Sequence, residues 1–170
     1  MNNPMRVILS VALVASLAAC TKKTEVKPDE PVAQPTQPEV PAVVDDGKFD
    51  ASDLDSDSCL RQRVVYFDFD KAEIRAEAQA ILACHGKYLT DRPSAAMTLE
   101  GHADERGSRE YNLGLGERRG NAVSSALQAN GGSASQLNVV SYGEERPTCA
   151  DSSEDCWGKN RRVEIVYTAK

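Results

Sequence analysis

Prolines at positions 28, 31, 35, 38 and 41 recur every three or four residues, and this spacing decides where the chain can fold. Each proline removes a backbone donor and fixes φ, so no helix or central strand survives such a run. The intervening Glu, Gln, Thr and Val offer too little apolar surface to pack, so the stretch reads as an extended tether. Residues 20–57 are therefore expected to be a linker, and residues 58–170 remain for one domain with one core. Asp45 to Asp57 closes the linker. Asp53, Asp55 and Asp57 have the one-three-five spacing of a calcium loop, but Ser58 stands where the turn needs Gly and Val64 where a bidentate Glu should close it. A solvated acidic stretch is the expectation.

The N-terminus sets the compartment. After Arg6 the chain is apolar from Val7 to Leu17, too short to span a bilayer of about 20 helical residues but suited to a secretory signal. Leu17-Ala18-Ala19-Cys20 resembles a bacterial lipobox, which implies cleavage of residues 1–19 and lipid on Cys20. Several acyl chains at roughly 0.8 kcal/mol per buried CH₂ make an effectively permanent anchor. Thr21, rather than Asp, follows the cysteine, which by resemblance to sorted lipoproteins places the chain at the periplasmic face of the outer membrane.

Hydrophobic periodicity orders the rest. Val64 to Phe67 reads as a strand, and Ile74, Ala78, Ile81, Leu82, His85, Tyr88 and Leu89 as the buried face of a helix over 73–91. Met97 to Glu100 alternates as a second strand. Leu115, Ala122, Val123, Ala126 and Leu127 mark a second helix, stopped by Gly131-Gly132. Leu137 to Tyr142 and Arg162 to Tyr167 are two further strands, the last with Val163, Ile165 and Tyr167 on one face. The order β-α-β-α-β-β predicts an α+β, two-layer sandwich with helices packed on a mixed four-stranded sheet.

With Cys20 assigned to lipid, four of the five cysteines remain, and an oxidising periplasm favours their pairing. Cys149 and Cys156 bracket a short acidic loop. Cys59, just before the first strand, can reach Cys84 on the first helix. A zinc site lacks a Cys-x-x-Cys pair, and no cofactor is expected.

The candidate site lies where the second strand hands over to the second helix. Gly101-His102-Ala103-Asp104-Glu105-Arg106-Gly107, Tyr111-Asn112 and Glu117-Arg118-Arg119 concentrate carboxylates, guanidiniums and an amide there. Asp104 and Arg119 could form a surface ion pair worth about 0–1 kcal/mol, or a clamp for a ligand carrying both signs of charge. Arg118 projects about 100° away from Arg119, so one of the two is expected to be solvated or structural. His102 is expected to make a structural hydrogen bond. Asp70 and Asp104 could also be paired as the carboxylates of a glycoside hydrolase, but two histidines in the chain are too few for a zinc amidase. A net charge of −6 opposes nucleic-acid binding.

Phe67-Asp68-Phe69-Asp70, the 101–107 and 111–119 segments, Ser141-Tyr142-Gly143 and Asn160-Arg161-Arg162 together resemble the OmpA-like peptidoglycan-binding domains. With the lipobox they resemble the lipoproteins of the Tol-Pal system in particular. The resemblance covers all of 58–170; the four-cysteine pattern departs from it. It implies a non-catalytic tether that binds the meso-diaminopimelate of a peptidoglycan stem peptide, whose side chain ends in an ammonium and a carboxylate on one carbon. Asp104 would take the ammonium and Arg119 the carboxylate, with Phe69 and Asp70 lining the pocket and Arg106, Asn112, Leu115 and Arg161 contributing at its rim. The implied partners are peptidoglycan, TolB and, through the Tol-Pal system, TolA.

Overall fold

The structure, a computed structural model, describes residues 47–170. The expected signal peptide, the lipidation site Cys20 and the proline run lie outside the described residues.

Four strands, β1 (Val64–Tyr66), β2 (Ala96–His102), β3 (Leu137–Gly143) and β4 (Arg162–Ala169), form one mixed sheet in the order β1-β4-β2-β3. β4 runs antiparallel to both neighbours, whereas β2 and β3 are parallel. A parallel pair needs a crossover, and the second long helix supplies it. The helices are α1 (Asp53–Ser56), α2 (Ala76–Asp91), α3 (Arg109–Ala129) and α4 (Glu154–Asn160). The α+β sandwich expected from the periodicity is the observed architecture.

α3 starts at Ser108, whose hydroxyl accepts a hydrogen bond from the Tyr111 N–H at 3.2 Å, satisfying one of the orphan donors of the first turn. The helix then lies directly on β2. A Cβ on Gly101 would come within 2.0 Å of the Gly116 carbonyl oxygen, so only a glycine lets the two backbones meet. That close approach is what requires glycine at position 101. Val65, Leu82, Leu99, Val123, Val163 and Ile165 are all buried between helices and sheet.

His85 is buried on α2, as its place in the helical pattern predicts. Its Nε2 lies 3.0 Å from the Gln62 carbonyl, which can only accept, so Nε2 carries the proton and Nδ1 accepts from the Tyr167 hydroxyl at 2.7 Å. Burial lowers the His85 pKa below the ordinary histidine value.

Three segments differ from the sequence expectations. The long helix α2 begins at Ala76, because Arg75 is extended. The acidic stretch before residue 58 is part of the fold. Leu54 is fully buried in the core, and the Phe49 ring packs on Tyr88 with centroids 6.4 Å apart. Its aspartates cap local backbone, Asp57 Oδ1 accepting from the N–H groups of Cys59 and Leu60 at 2.8 and 3.0 Å. Finally, the acidic loop after Cys149 contains a helix, α4, rather than only a turn. Both expected disulfides are present, Cys59–Cys84 and Cys149–Cys156.

Candidate functional site

Three segments converge at the end of β2: the loop after β1, the β2–α3 junction and α4. The loop after β1, the β2–α3 junction and the first turns of α3 line a cleft of about 210 Å³. Six of the eight candidate residues line it: Phe69, Asp70, Asp104, Arg106, Leu115 and Arg119, joined by Gly107 and Tyr111. Gly107 has φ +116°, so the turn into α3 favours glycine there. The other two candidates stand behind the cleft rather than in it.

Asp104 is buried and receives four donors. Arg106 gives its backbone N–H at 3.1 Å and its Nε at 3.2 Å to Oδ1, and NH2 at 2.7 Å to Oδ2. Arg161 NH1 reaches Oδ2 at 3.2 Å. Burial works against the charge of this carboxylate, but the Arg106 side chain, the Arg106 N–H and Arg161 outweigh it and hold Asp104 below its ordinary pKa.

Arg119 is fully buried, whereas Arg118, about 100° round the helix, is exposed. Its guanidinium is fixed by three carbonyls: Nε to Lys71 at 2.8 Å, NH1 to His102 at 2.8 Å and NH2 to Asp68 at 3.1 Å. A guanidinium has five N–H donors, so these three carbonyls leave two uncommitted, on a side chain that lines the cleft. Burial lowers the Arg119 pKa to about 10, partly offset by the nearby Asp104 charge, so the group stays cationic at neutral pH. Asp104 and Arg119 are therefore not a simple surface ion pair. Each is anchored separately and both face one cavity.

The supporting residues divide by depth. Asn112 is buried and donates to the carbonyls of Asp104 at 3.0 Å and Arg106 at 3.3 Å, bracing the junction. Arg161 is buried too; its Nε donates to the Phe67 carbonyl at 3.2 Å and its NH2 to Glu154 Oε1 at 2.6 Å. Asn160 bridges its loop, its side chain bonding the backbone of Thr148 and Cys149. At the mouth, Phe69 is 54% exposed and Tyr111 45% exposed. Asp70 has φ +57°, a conformation uncommon outside glycine, and accepts a hydrogen bond from the Tyr111 hydroxyl.

Sequence reasoning missed Tyr111 as a lining residue and α4 as a support for Arg106. From α4, Trp157 donates its indole N–H to Glu105 at 2.9 Å and lays its ring 4.2 Å from the Arg106 guanidinium carbon, while Phe69 covers Arg106 at 4.0 Å. The cysteines bracketing the 149–156 loop were the one available signal that this segment is held in place. The expected hydrogen bond of His102 is not found: it is buried, points away from the cleft toward Tyr142, and neither ring nitrogen has a partner among the described residues.

Comparison with known proteins places this mixed sheet, with its cleft at the strand-to-helix junction, in the OmpA-like class of domains. The OmpA family model matches residues 66–161. A peptidoglycan-associated lipoprotein of Haemophilus influenzae is 37% identical over 167 residues, covering 98% of this chain and 100% of the relative. One from Pseudomonas aeruginosa is 44% identical over 120 residues, 70% of each chain. The crystal structure of the peptidoglycan-associated lipoprotein from Burkholderia pseudomallei superposes with a TM-score of 0.66 at 41% identity, over 67% of this chain and 97% of that one. The chain belongs to the OmpA family and, within it, to the peptidoglycan-associated lipoproteins.

Proposed function

We propose that this protein is an outer-membrane lipoprotein that ties the membrane non-covalently to peptidoglycan. Residues 1–19 act as a signal peptide, Cys20 carries the lipid, the proline-rich segment spans the gap, and the folded domain binds the stem peptide. The observation that carries this reading is the pairing of a buried carboxylate and a buried guanidinium on one cleft, with two guanidinium N–H groups uncommitted. That arrangement suits a zwitterionic carbon, the chemistry of the meso-diaminopimelate side chain, because each charge meets its complement through charge-assisted hydrogen bonds. Asp104 takes the ammonium and Arg119 the carboxylate. Leu115 contacts the methylene stem, and Phe69, Asp70 and Tyr111 close the sides. Asn112 and Arg161 hold the clamp in shape.

The role is binding rather than catalysis. Within the envelope, TolB is the protein partner and competes for the same cleft, and TolA joins through the Tol-Pal system in support of cell division. Co-sedimentation of the purified protein with sacculi tests the reading. Wild type should pellet, and Asp104→Asn should lose at least about tenfold in affinity, the worth of one hydrogen bond to a charged group. Equal pelleting of Asp104→Asn would remove the cleft from the account, and release of soluble muropeptides would replace binding by hydrolysis.

A further inference from the structure

Cys59–Cys84 is not among the residues that line the cleft, yet its place along the chain bears on how the cleft is held. A tether pulls on the domain from its N-terminal side, and the contacts it meets first are non-covalent. Lys87 Nζ donates to the Gly47 carbonyl at 2.9 Å, the Phe49 N–H donates to Asp91 Oδ2 at 2.9 Å, and Leu54 is buried in the core. These contacts lie in series, so tension can lift residues 47–58 away one after another. Beyond Cys59 the chain passes through residues 60–63 into β1, an edge strand of three residues whose one neighbour in the sheet is β4. β1 then leads directly to the cleft. Phe69 and Asp70 line it, and the carbonyls of Asp68 and Lys71 hold the Arg119 guanidinium at 3.1 and 2.8 Å. Displacing β1 would therefore draw this loop off the cation assigned to the ligand's carboxylate.

Cys59 stands ahead of that route. Its sulfur is bonded to Cys84 on α2, a 16-residue helix whose Leu82, His85, Tyr88 and Leu89 are buried. While α2 stays docked, Cys59 is fixed in place and no extension passes it. Resting on the tether reading, we propose that Cys59–Cys84 is a mechanical stop. It delivers the pull of the tether into α2 and keeps it out of β1 and the cleft-lining loop, so the domain keeps its grip under tension. Loop-closure entropy does not select this position, because it depends on the length of chain enclosed and not on where the loop lies. Interception does, since it needs one cysteine between the tether and β1 and the other on an element packed into the core.

The test is single-molecule force spectroscopy of the chain from Cys20 onward, held by a handle in place of the lipid and pulled against an immobilised stem tripeptide carrying meso-diaminopimelate. Without tension, Cys59→Ser/Cys84→Ser should bind the peptide as wild type does. Under tension its bond lifetime should fall at least about tenfold below wild type at equal force, the scale of one charge-assisted hydrogen bond such as that from Arg119 to the Asp68 carbonyl. A second attachment decides the matter if this variant does not fold. Wild type gripped at exposed Arg61, between the disulfide and β1, should lose lifetime in the same way relative to wild type gripped at residue 20. A lifetime ratio that does not grow with force overturns the proposal. Wild type giving no rupture events that free peptide suppresses would instead overturn the peptidoglycan reading beneath it.

Discussion

His102 and Asp104 stand two residues apart at the end of β2, yet they carry polar atoms toward opposite sides of the sheet on opposite terms. Asp104 enters the cleft with four donors on its carboxylate. His102 enters the other side beside Tyr142 with no partner on either nitrogen among the described residues, and NH1 of the neighbouring Arg162 is likewise unpartnered. Buried polar groups are normally paired, because an unpaired one costs about 1–3 kcal/mol. The difference shows which charges the fold can keep. An ionised carboxylate is retained because four donors surround it, whereas the imidazole is tolerated because it can stay neutral. A binding site needs the first arrangement, since only a charge held in a fixed place offers a ligand something to recognise.

Arg119 is where breaking the well-paired side should cost most. Arg119→Ala removes the donors of three carbonyls, those of Asp68, Lys71 and His102, and opens a cavity at a fully buried position. The expected loss is about 3–5 kcal/mol in urea unfolding, with peptidoglycan binding lost as well. Arg118→Ala, one residue along on an exposed face, should stay within about 0.5 kcal/mol. Similar losses for the two variants would show that the carbonyl contacts of Arg119 contribute little. Because Arg119 serves both stability and the clamp, and Asp104 also pairs with buried Arg161, binding by Arg119→Ala or Asp104→Asn is to be read on protein shown folded by circular dichroism.

The two disulfides sharpen the comparison by separating the cleft from the rest of the domain. Cys59–Cys84 closes a sequence separation of 25 residues and Cys149–Cys156 one of 7. Loop-closure entropy puts the loss on double replacement by Ser at about 3.5 and about 2.5 kcal/mol respectively. Only the shorter loop adjoins α4, which supplies Glu154 and Trp157 to Arg106 and Arg161. Denaturant unfolding should therefore rank the first pair above the second, while stem-peptide titration should change only for the second. A binding change of equal size in both variants would mean that the cleft senses general loosening rather than the position of α4.

Much of this was readable before the structure, for a physical reason. Period-2 and period-3.6 patterns report a face that repeats, so Val163, Ile165 and Tyr167, or Leu82, His85 and Leu89, declare their side without reference to anything distant. The same logic separated Arg118 from Arg119. Short elements have no repeat to read. α1 is four residues long with Leu54 as its one buried residue, and α4 is a seven-residue turn of helix with Cys156 and Asn160 as its buried residues, inside an acidic stretch. Trp157 therefore stayed invisible as a support for Arg106. Nor could local sequence show that Arg119 ends on the carbonyls of Asp68 and Lys71, 51 and 48 residues away. The same holds for Arg106, whose guanidinium lies over Asp104 between the rings of Phe69 and Trp157.

The smallest of these effects tests the unpaired side directly through acid. Burial pushes the His102 pKa to about 4, with the Arg162 charge acting in the same direction, Glu164 against it and Arg146 again with it. In the unfolded chain the imidazole titrates near about 6.5. Between these values the unfolded state binds a proton that the folded state refuses, so stability rises with pH across that window. The contribution is complete above the unfolded value, is lost as pH falls toward the folded one, and changes no further below it. Between pH 7 and pH 5 the linkage relation gives a loss of about 2 kcal/mol from this residue. His85, also lowered by burial, adds in the same direction. Asp104, held below its ordinary value, is silent in this range and loses its contribution only in stronger acid. Urea unfolding at several pH values should show wild type weakening steadily across this window and His102→Gln weakening distinctly less. Parallel pH profiles for the two proteins would mean that His102 accepts its proton in the folded state, and that its side of the sheet is not the unpaired one.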